Sequence, residues 1–178
     1  MRIFRIFKTL YNIAKGPDKY YKKGMNSNID ALSDLVEIGE GFISTPGSII
    51  LAHDASTITH TGKLRVEKTI IGKNVFLGAN AVVLPGVNVG DDSIIGAGAV
   101  VTKDVPKGVV VAGNPAKFIS TVEDYMLKCK DRNVLYDLSD VVLKKHGTGE
   151  KATEKENNEL KKSIYKQFDN RNIVSGKA

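Results

Sequence analysis

The sequence predicts a mainly β protein: a prism of short strands and tight turns, with a helix before it and a helical, partly mobile tail after it. Three observations carry this reading. Over residues 32–119 charge thins out, and Gly, Val, Ile, Ala and Asn take over. Within that stretch the chain repeats every six residues. From Ile71 it divides into IGKNVF, LGANAV, VLPGVN, VGDDSI, IGAGAV and VTKDVP; every block begins with Ile, Leu or Val, four have Gly second, and the fifth residue is always small or β-branched. A period of six is neither the 3.6 of a helix nor the 2 of a hairpin sheet. A short strand followed by a tight turn accounts for it. The first-position apolar residue points inward, Gly or Asn nearby permits positive φ at a corner, and a small fifth residue suits a narrow interior. Three such sides close a triangular coil of about 18 residues, and stacked coils share one core.

Each element follows in chain order. Residues 1–25 form an N-terminal helix and linker. In MRIFRIFKTLYNIAKG, residues 1–16, the positions Ile3, Ile6, Phe7, Leu10, Ile13 and Ala14 make one apolar stripe, with Arg2, Arg5, Lys8 and Lys15 off it. Gly16-Pro17 ends the helix. Two readings stay open: a helix weakly associated with an anionic membrane surface, or one docked on its own domain or a sister subunit. Residues 26–119 form the repeat domain. An earlier register, LSDLVE, IGEGFI, STPGSI and ILAHDA from Leu32, is offset by three residues from the later one. The irregular STITHTGKLRVEKTI lies between them, so residues 56–68 are expected to project as a loop insertion. Residues 120–178 form a tail, helical through VEDYMLKCK. The mixed-charge run HGTGEKATEKENNELKKS is expected to be exposed or mobile, and Leu160, Ile164 and Phe168 suggest a last short amphipathic helix. Cys129 reads as a packed thiol.

Bulk properties narrow the function. The 178 residues fit one domain with appendages. No apolar run approaches the ~20 residues of a membrane span, and the N-terminus lacks a secretory pattern. One cysteine precludes an internal disulfide, and no Cys/His zinc spacing is present. These features suggest a reducing, cytoplasmic location. The net charge of +6 equals that of residues 1–25 alone, which carry seven Lys/Arg against one Asp; residues 26–120 are at −2 and residues 121–178 at +2. Charge confined to one short segment argues against a nucleic-acid groove. GAGAV lacks full G-x-G-x-x-G spacing, so it is not a dinucleotide turn.

The stretch IGKNVFLGANAVVLPGVNVGDDSIIGAGAVVTKDVPKGVVVAGNPAK resembles the hexapeptide-repeat acyltransferases, through IIGAGAVVTKDVP and AGNPAK above all. The resemblance covers roughly residues 32–119. It implies a left-handed parallel β-helix, a hand that departs from the usual crossover rule, and a homotrimer. SDLVEIGEGF followed by AHDAS is most similar to the capsule and lipopolysaccharide O-acetyltransferases. The implied activity is acetyl transfer from acetyl-CoA to a hydroxyl of a surface polysaccharide or its precursor. The acceptor is a saccharide, lipid-linked in one version, handled in the cytoplasm or at the inner face of the membrane. N-acetylation of an amino sugar nucleotide and serine acetylation are the enzymatic alternatives; a non-catalytic β-helix scaffold is the alternative of another class.

The same resemblance assigns residues. His53, on a loop after the first coils, matches the family's general base. Imidazole titrates near neutrality, so it can take the proton of an attacking alcohol and pass it to a departing thiolate. Asp54 is a candidate for orienting the ring or contacting sugar hydroxyls. Strand neighbours point to opposite faces, so a backbone carbonyl is the expected partner of the other ring nitrogen. His60 and Phe76 are further candidates for acceptor contact. The backbone N–H of Ala79 matches the oxyanion donor. Ala97, Thr102, Lys103, Asn114, Pro115 and Lys117 match coenzyme contacts, the lysines suiting phosphate. No metal site is expected. The site is implied to lie between two subunits.

Overall fold

Inward-pointing residues recur in two columns, and these decide the shape. The computed structural model describes residues 28–138 and 153–175. The amphipathic stretch 1–16, the Gly16-Pro17 stop and His146 lie outside the described residues. The chain runs through β1 (Asn28–Ile29), β2 (Val36–Ile38), β3 (Ile43–Ser44), β4 (Ile49–Ile50), β5 (His53–Asp54) and the short helix α1 (Ile58–Thr61). It continues through β6 (Arg65–Val66), β7 (Thr69–Ile71), β8 (Phe76–Leu77), β9 (Val82–Val83), β10 (Asn88–Val89), β11 (Ile94–Ile95) and β12 (Val100–Val101). β13 (Val109–Ala112) and β14 (Lys117–Thr121) close the prism, followed by helices α2 (Val122–Asp131) and α3 (Glu154–Ser175).

The strands stack into three parallel faces. Face A is β1-β4-β9-β12, face B is β2-β7-β10, and face C is β3-β8-β11-β13, with β14 added antiparallel to β13. Val82 pairs with Val100 and Phe76 with Ile94, eighteen residues apart, the length of one triangular coil. Ile49 pairs with Val82 and Ile43 with Phe76, thirty-three apart. The excess of fifteen is the length of STITHTGKLRVEKTI, so the register offset read from sequence is one insertion between two coils. The sheet also runs past residue 119, to Thr121.

The core follows the six-residue period. Ile71, Leu77, Val83, Val89, Ile95 and Val101 at first positions, and Val75, Ala81, Val87, Ser93, Ala99 and Val105 at fifth positions, are at most 5% exposed. Fully burying an aliphatic side chain of this size stabilises by about 1.5–3 kcal/mol. Buried hydroxyls are satisfied: Ser93 donates to the Pro106 carbonyl at 2.8 Å and Thr69 to the Leu51 carbonyl at 2.6 Å. Among the described residues no buried side-chain N or O atom lacks a partner.

Two residue classes do the work that the sequence reading gave jointly to Gly and Asn. The corners use the fourth block position, where Asn74, Asn80, Gly86, Asp92 and Gly98 all have positive φ; Asn and Asp tolerate this region better than other non-Gly residues. The second-position glycines serve close approach instead. A Cβ on Gly78 would stand 2.5 Å from the Ala97 nitrogen.

The tail departs from expectation. α3 spans 22 residues, so part of the mixed-charge run is helical and the last helix is not short. Its start is a reciprocal cap: Thr153 N–H donates to Glu156 at 2.7 Å, and Glu156 N–H donates to the Thr153 hydroxyl at 3.3 Å. This T-x-x-E pattern outweighs the low apolar content of the segment. Tyr136 and Phe168, 6.3 Å apart between ring centroids, join α3 to the segment after α2.

Candidate active site

His53 leaves face A just after β4, where the chain departs for the insertion. β5 pairs antiparallel with β6, His53 opposite Val66 and Asp54 opposite Arg65, so the insertion projects as a two-stranded ribbon tipped by α1. The His53 side chain is 22% exposed. Its Nδ1 meets Oδ1 of Asp30 at 2.5 Å. This carboxylate, not a backbone carbonyl, holds the second ring nitrogen. Asp30 comes from the first coil, directly after β1, and its side chain is wholly buried. Oδ1 also accepts the Leu32 N–H at 2.7 Å, while Oδ2 accepts those of Ala52 at 2.8 Å and His53 at 3.0 Å. Four donors satisfy a buried carboxylate that has no cationic side chain beside it. A carboxylate facing Nδ1 requires the proton there, which leaves the Nε2 lone pair free.

Sequence reasoning missed Asp30. β1 pairs with β4 at a separation of twenty-one residues, not eighteen, so the six-residue period does not carry back to it.

Asp54 does not touch the His53 ring. It accepts the Ser56 N–H at 3.0 Å and the Ser56 hydroxyl, and meets Arg65 at 3.5 Å. These Ser56 bonds, followed by the Arg65 charge, hold its carboxyl below the usual range. Arg65 also pairs with Glu67 at 2.5 Å and donates to the Pro85 carbonyl at 3.1 Å. Asp54 therefore braces the ribbon. His60 sits exposed in α1.

The other candidates fall on two edges of face A. Where A turns into B, the strand registers stack Leu51 over Leu84 over Thr102, so Thr102 and Lys103 are exposed in the column headed by Ala52 and His53. Where C turns into A stand Ala79, Ala97 and the Gly113–Pro115 loop. Gly98 N–H donates to the Ala79 carbonyl at 2.8 Å, and Val100 N–H to the Gly113 carbonyl at 3.0 Å. Asn114 and Pro115, joined by a cis peptide bond, are exposed there, and Lys117 is exposed at the start of β14. Among the described residues, neither the Ala79 nor the Ala97 N–H has an acceptor. Phe76 lies half-buried on face C, away from both edges.

On the coil that carries His53, the C-to-A edge is at Pro46, seven residues earlier. At about 3.3 Å per extended residue the two edges are roughly 20 Å apart. One copy of the chain thus keeps His53 apart from the Ala79 and Ala97 N–H groups. Among the described residues no group of three or more His, Cys, Asp or Glu is placed to hold a metal, and no helix is long and apolar enough to cross a membrane.

Comparison with known proteins agrees with this geometry. Residues 68–103 match a family model described as the hexapeptide repeat of succinyl-transferase. Galactoside O-acetyltransferase of Escherichia coli (strain K12) is 36% identical over 104 residues, covering 56% of this chain and 51% of that protein. A 2,3,4,5-tetrahydropyridine-2,6-dicarboxylate N-acetyltransferase of Clostridium perfringens is 52% identical over 68 residues, covering 38% of this chain and 28% of that protein. A solved galactoside acetyltransferase in complex with coenzyme A is 26% identical, with 63% of this chain and 64% of that chain covered and a TM-score of 0.48. The chain thus spans about half the length, or less, of the curated relatives it matches. By its repeats and the relatives that share them, the chain is similar to the hexapeptide-repeat acyltransferases, and its coils stack as the parallel sheets that this similarity implies.

Proposed function

We propose that the chain is an acetyl-CoA-dependent O-acetyltransferase acting on a hydroxyl of a surface saccharide or its precursor. The observation that carries this is the His53–Asp30 pair. An imidazole with Nδ1 engaged by a buried carboxylate and Nε2 free is a general base in the correct tautomer. In the proposed reaction the acceptor O–H gives its proton to Nε2 as its oxygen attacks the thioester carbonyl. The oxyanion meets the Ala79 N–H. The C–S bond then breaks, and the imidazolium returns the proton to the thiolate of coenzyme A. Thr102, Lys103, Ala97, Asn114, Pro115 and Lys117 are the proposed coenzyme contacts, running along the two edges of face A.

We further propose a homotrimer, in which the His53 edge of one copy faces the Ala79 edge of the next. The outward residues of face A support it: Ile49, Val82, Leu84 and Val100 are apolar and part-exposed in one copy, whereas face B presents Glu37 and Asn88. A second reading, N-acetylation, is favoured by the likeness to an N-acetyltransferase; the same base serves an amine. Acetyl-CoA as donor places the reaction in the cytoplasm, and a lipid-linked acceptor would bring it to the inner membrane face.

The test is thiol release from acetyl-CoA with nucleotide sugars, oligosaccharides and free serine, alongside His53→Ala. Acceptor-dependent release that collapses in the variant supports the assignment. A product acetyl that survives mild base reassigns the reaction to an amine. Release unchanged in folded His53→Ala refutes the base, and loss of coenzyme binding altogether points to a scaffold.

A further inference from the structure

Face C carries an apolar groove that the proposed reaction does not use. α2 begins where Thr121 caps it, its hydroxyl accepting the Asp124 N–H at 3.0 Å, and Val122 N–H is tied to the Gly108 carbonyl at 2.9 Å. From this anchor the helix runs over face C and leaves a cavity of about 480 Å³ between Val122, Tyr125 and Met126 on one side and Phe76 and Ile94 on the other. Tyr125 and Met126 remain 42% and 41% exposed, although they face an apolar wall. The end of the groove near the helix start is acidic. Glu123 and Asp124 lie in the first turn of α2, and Asp92 lines the cavity. Asp92 is held in its charged form, below the usual range, chiefly by the Asn74 amide and then by Lys107.

We propose that residues 1–16 of the same chain occupy this groove, with the stripe of Ile3, Ile6, Phe7, Leu10 and Ile13 against Tyr125 and Met126 and with the flanking Arg and Lys residues near the acidic end. Three observations on the molecule support this occupant. The stripe is apolar where the groove is apolar. Residues 1–25 carry +6, whereas residues 26–120 carry −2. The reach is sufficient. The described chain starts at Asn28, one coil before Ile49, and Phe76 and Ile94 lie one and two coils further on. At about 4.8 Å per coil this is roughly 10–15 Å along the prism, and the eleven residues 17–27 span up to about 36 Å, enough to round an edge. This docking is independent of the acetyl-transfer reading.

The chain has no tryptophan, so Phe7→Trp in the full-length protein is a clean reporter. The expected result, without lipid, is blue-shifted emission and acrylamide quenching several-fold weaker than for the unfolded chain. Adding Met126→Asp should return both toward solvent values, while a control at Lys130→Ala leaves them unchanged. Circular dichroism confirms that each variant is folded. A solvent-like Trp that shifts only on phosphatidylglycerol vesicles overturns the proposal in favour of a membrane surface. A buried Trp indifferent to Met126→Asp overturns it in favour of another site. Phe7→Cys with Met126→Cys, in a Cys129→Ser background, should be bridged by a short bismaleimide within one chain; a product linking two chains overturns the same-chain assignment.

Discussion

Asp30→Asn tests the site most sharply, because the change is one atom in a fully buried group. The carboxylate accepts two hydrogen bonds at each oxygen: Leu32 N–H and His53 Nδ1 at Oδ1, and the Ala52 and His53 N–H groups at Oδ2. An amide offers one oxygen and one NH2. With its NH2 at Oδ2 it faces two N–H donors; with its NH2 at Oδ1 it faces the Leu32 N–H, while the His53 ring can turn acceptor by moving its proton. Each unsatisfied buried donor costs about 1–3 kcal/mol, so one or two cost about 1–6 kcal/mol. For a chain of this size that lowers Tm by between about 2 and 24 °C. With the NH2 at Oδ1, Nδ1 loses its acceptor, the ring proton moves to Nε2, and the base is disabled. Up to the full general-base contribution, ~10²–10⁴ in kcat, should be lost. The KM for acetyl-CoA should hold, since the Asp30 side chain is wholly buried and stands three coils from Thr102. The assay is acceptor-dependent thiol release well below Tm, with His53→Ala and the double variant. Groups that act as a unit are non-additive, so Asp30→Asn should add little to His53→Ala. A folded Asp30→Asn with unaltered kcat, or a double variant slowed by the product of both factors, would refute the pairing as a catalytic device and leave it a structural bond.

Three further outcomes follow from the same geometry. Gly78→Ala places a methyl 2.5 Å from the Ala97 nitrogen; overpacking of this kind costs about 1–3 kcal/mol, and it should lower Tm and raise the KM for acetyl-CoA together, both absent if the coils slide apart freely. Inactive His53→Ala chains co-expressed with chains inactivated at Lys103 and Lys117 should regain part of the activity in mixed trimers; mixed trimers that stay dead argue against a shared site. The Asp54 carboxyl is depressed in the fold, chiefly by Ser56. Its stabilisation of the ribbon is therefore complete above the unfolded value of ~3.9 and lost as pH falls through the lower folded value. Amide protection factors at Ser56 and Arg65 should fall on acidification below ~4, and should be insensitive to that change in Asp54→Asn.

The prism was legible because its rule is local and repeated. Each side of a coil needs one large inward residue, one small one and one residue that accepts positive φ, so Ile71, Val75 and Asn74 recur as types every six positions. Even the insertion was visible, since adding fifteen residues to an eighteen-residue coil shifts the six-residue phase by three. His53 was singled out on a family pattern, and the structure places it beside Asp30. Asp30 was not, because its role depends on a contact between coils, twenty-three residues apart, that no local pattern encodes. For Asp54, alternation along the strand argued against a pair with the His53 ring, and the Ser56 turn takes its carboxylate into the ribbon instead. In the tail the spacing of Leu160, Ile164 and Phe168 marked a helix, but composition hid its length. The charged residues of α3 suggested exposure, which is correct, and disorder, which the Thr153–Glu156 cap prevents over residues 154–175.

The position of the base has a consequence for assembly. A triangular coil offers three edges, and the insertion that carries His53 leaves from one edge of face A while the free amides of Ala79 and Ala97 line the other. The number of extended residues on a side sets the width of that face, so no rearrangement of side chains in one copy can bring His53 to the amides across roughly 20 Å. A loop long enough to fold back would have to cross the outer surface of Ile49, Val82 and Val100, which is apolar and part-exposed in one copy. Packing that surface against another copy covers it and, in the same step, juxtaposes unlike edges. A polar substitution there, such as Val82→Lys, should therefore abolish assembly and activity together while leaving the coil of each chain folded, a coupling that light scattering, circular dichroism and thiol release would read separately.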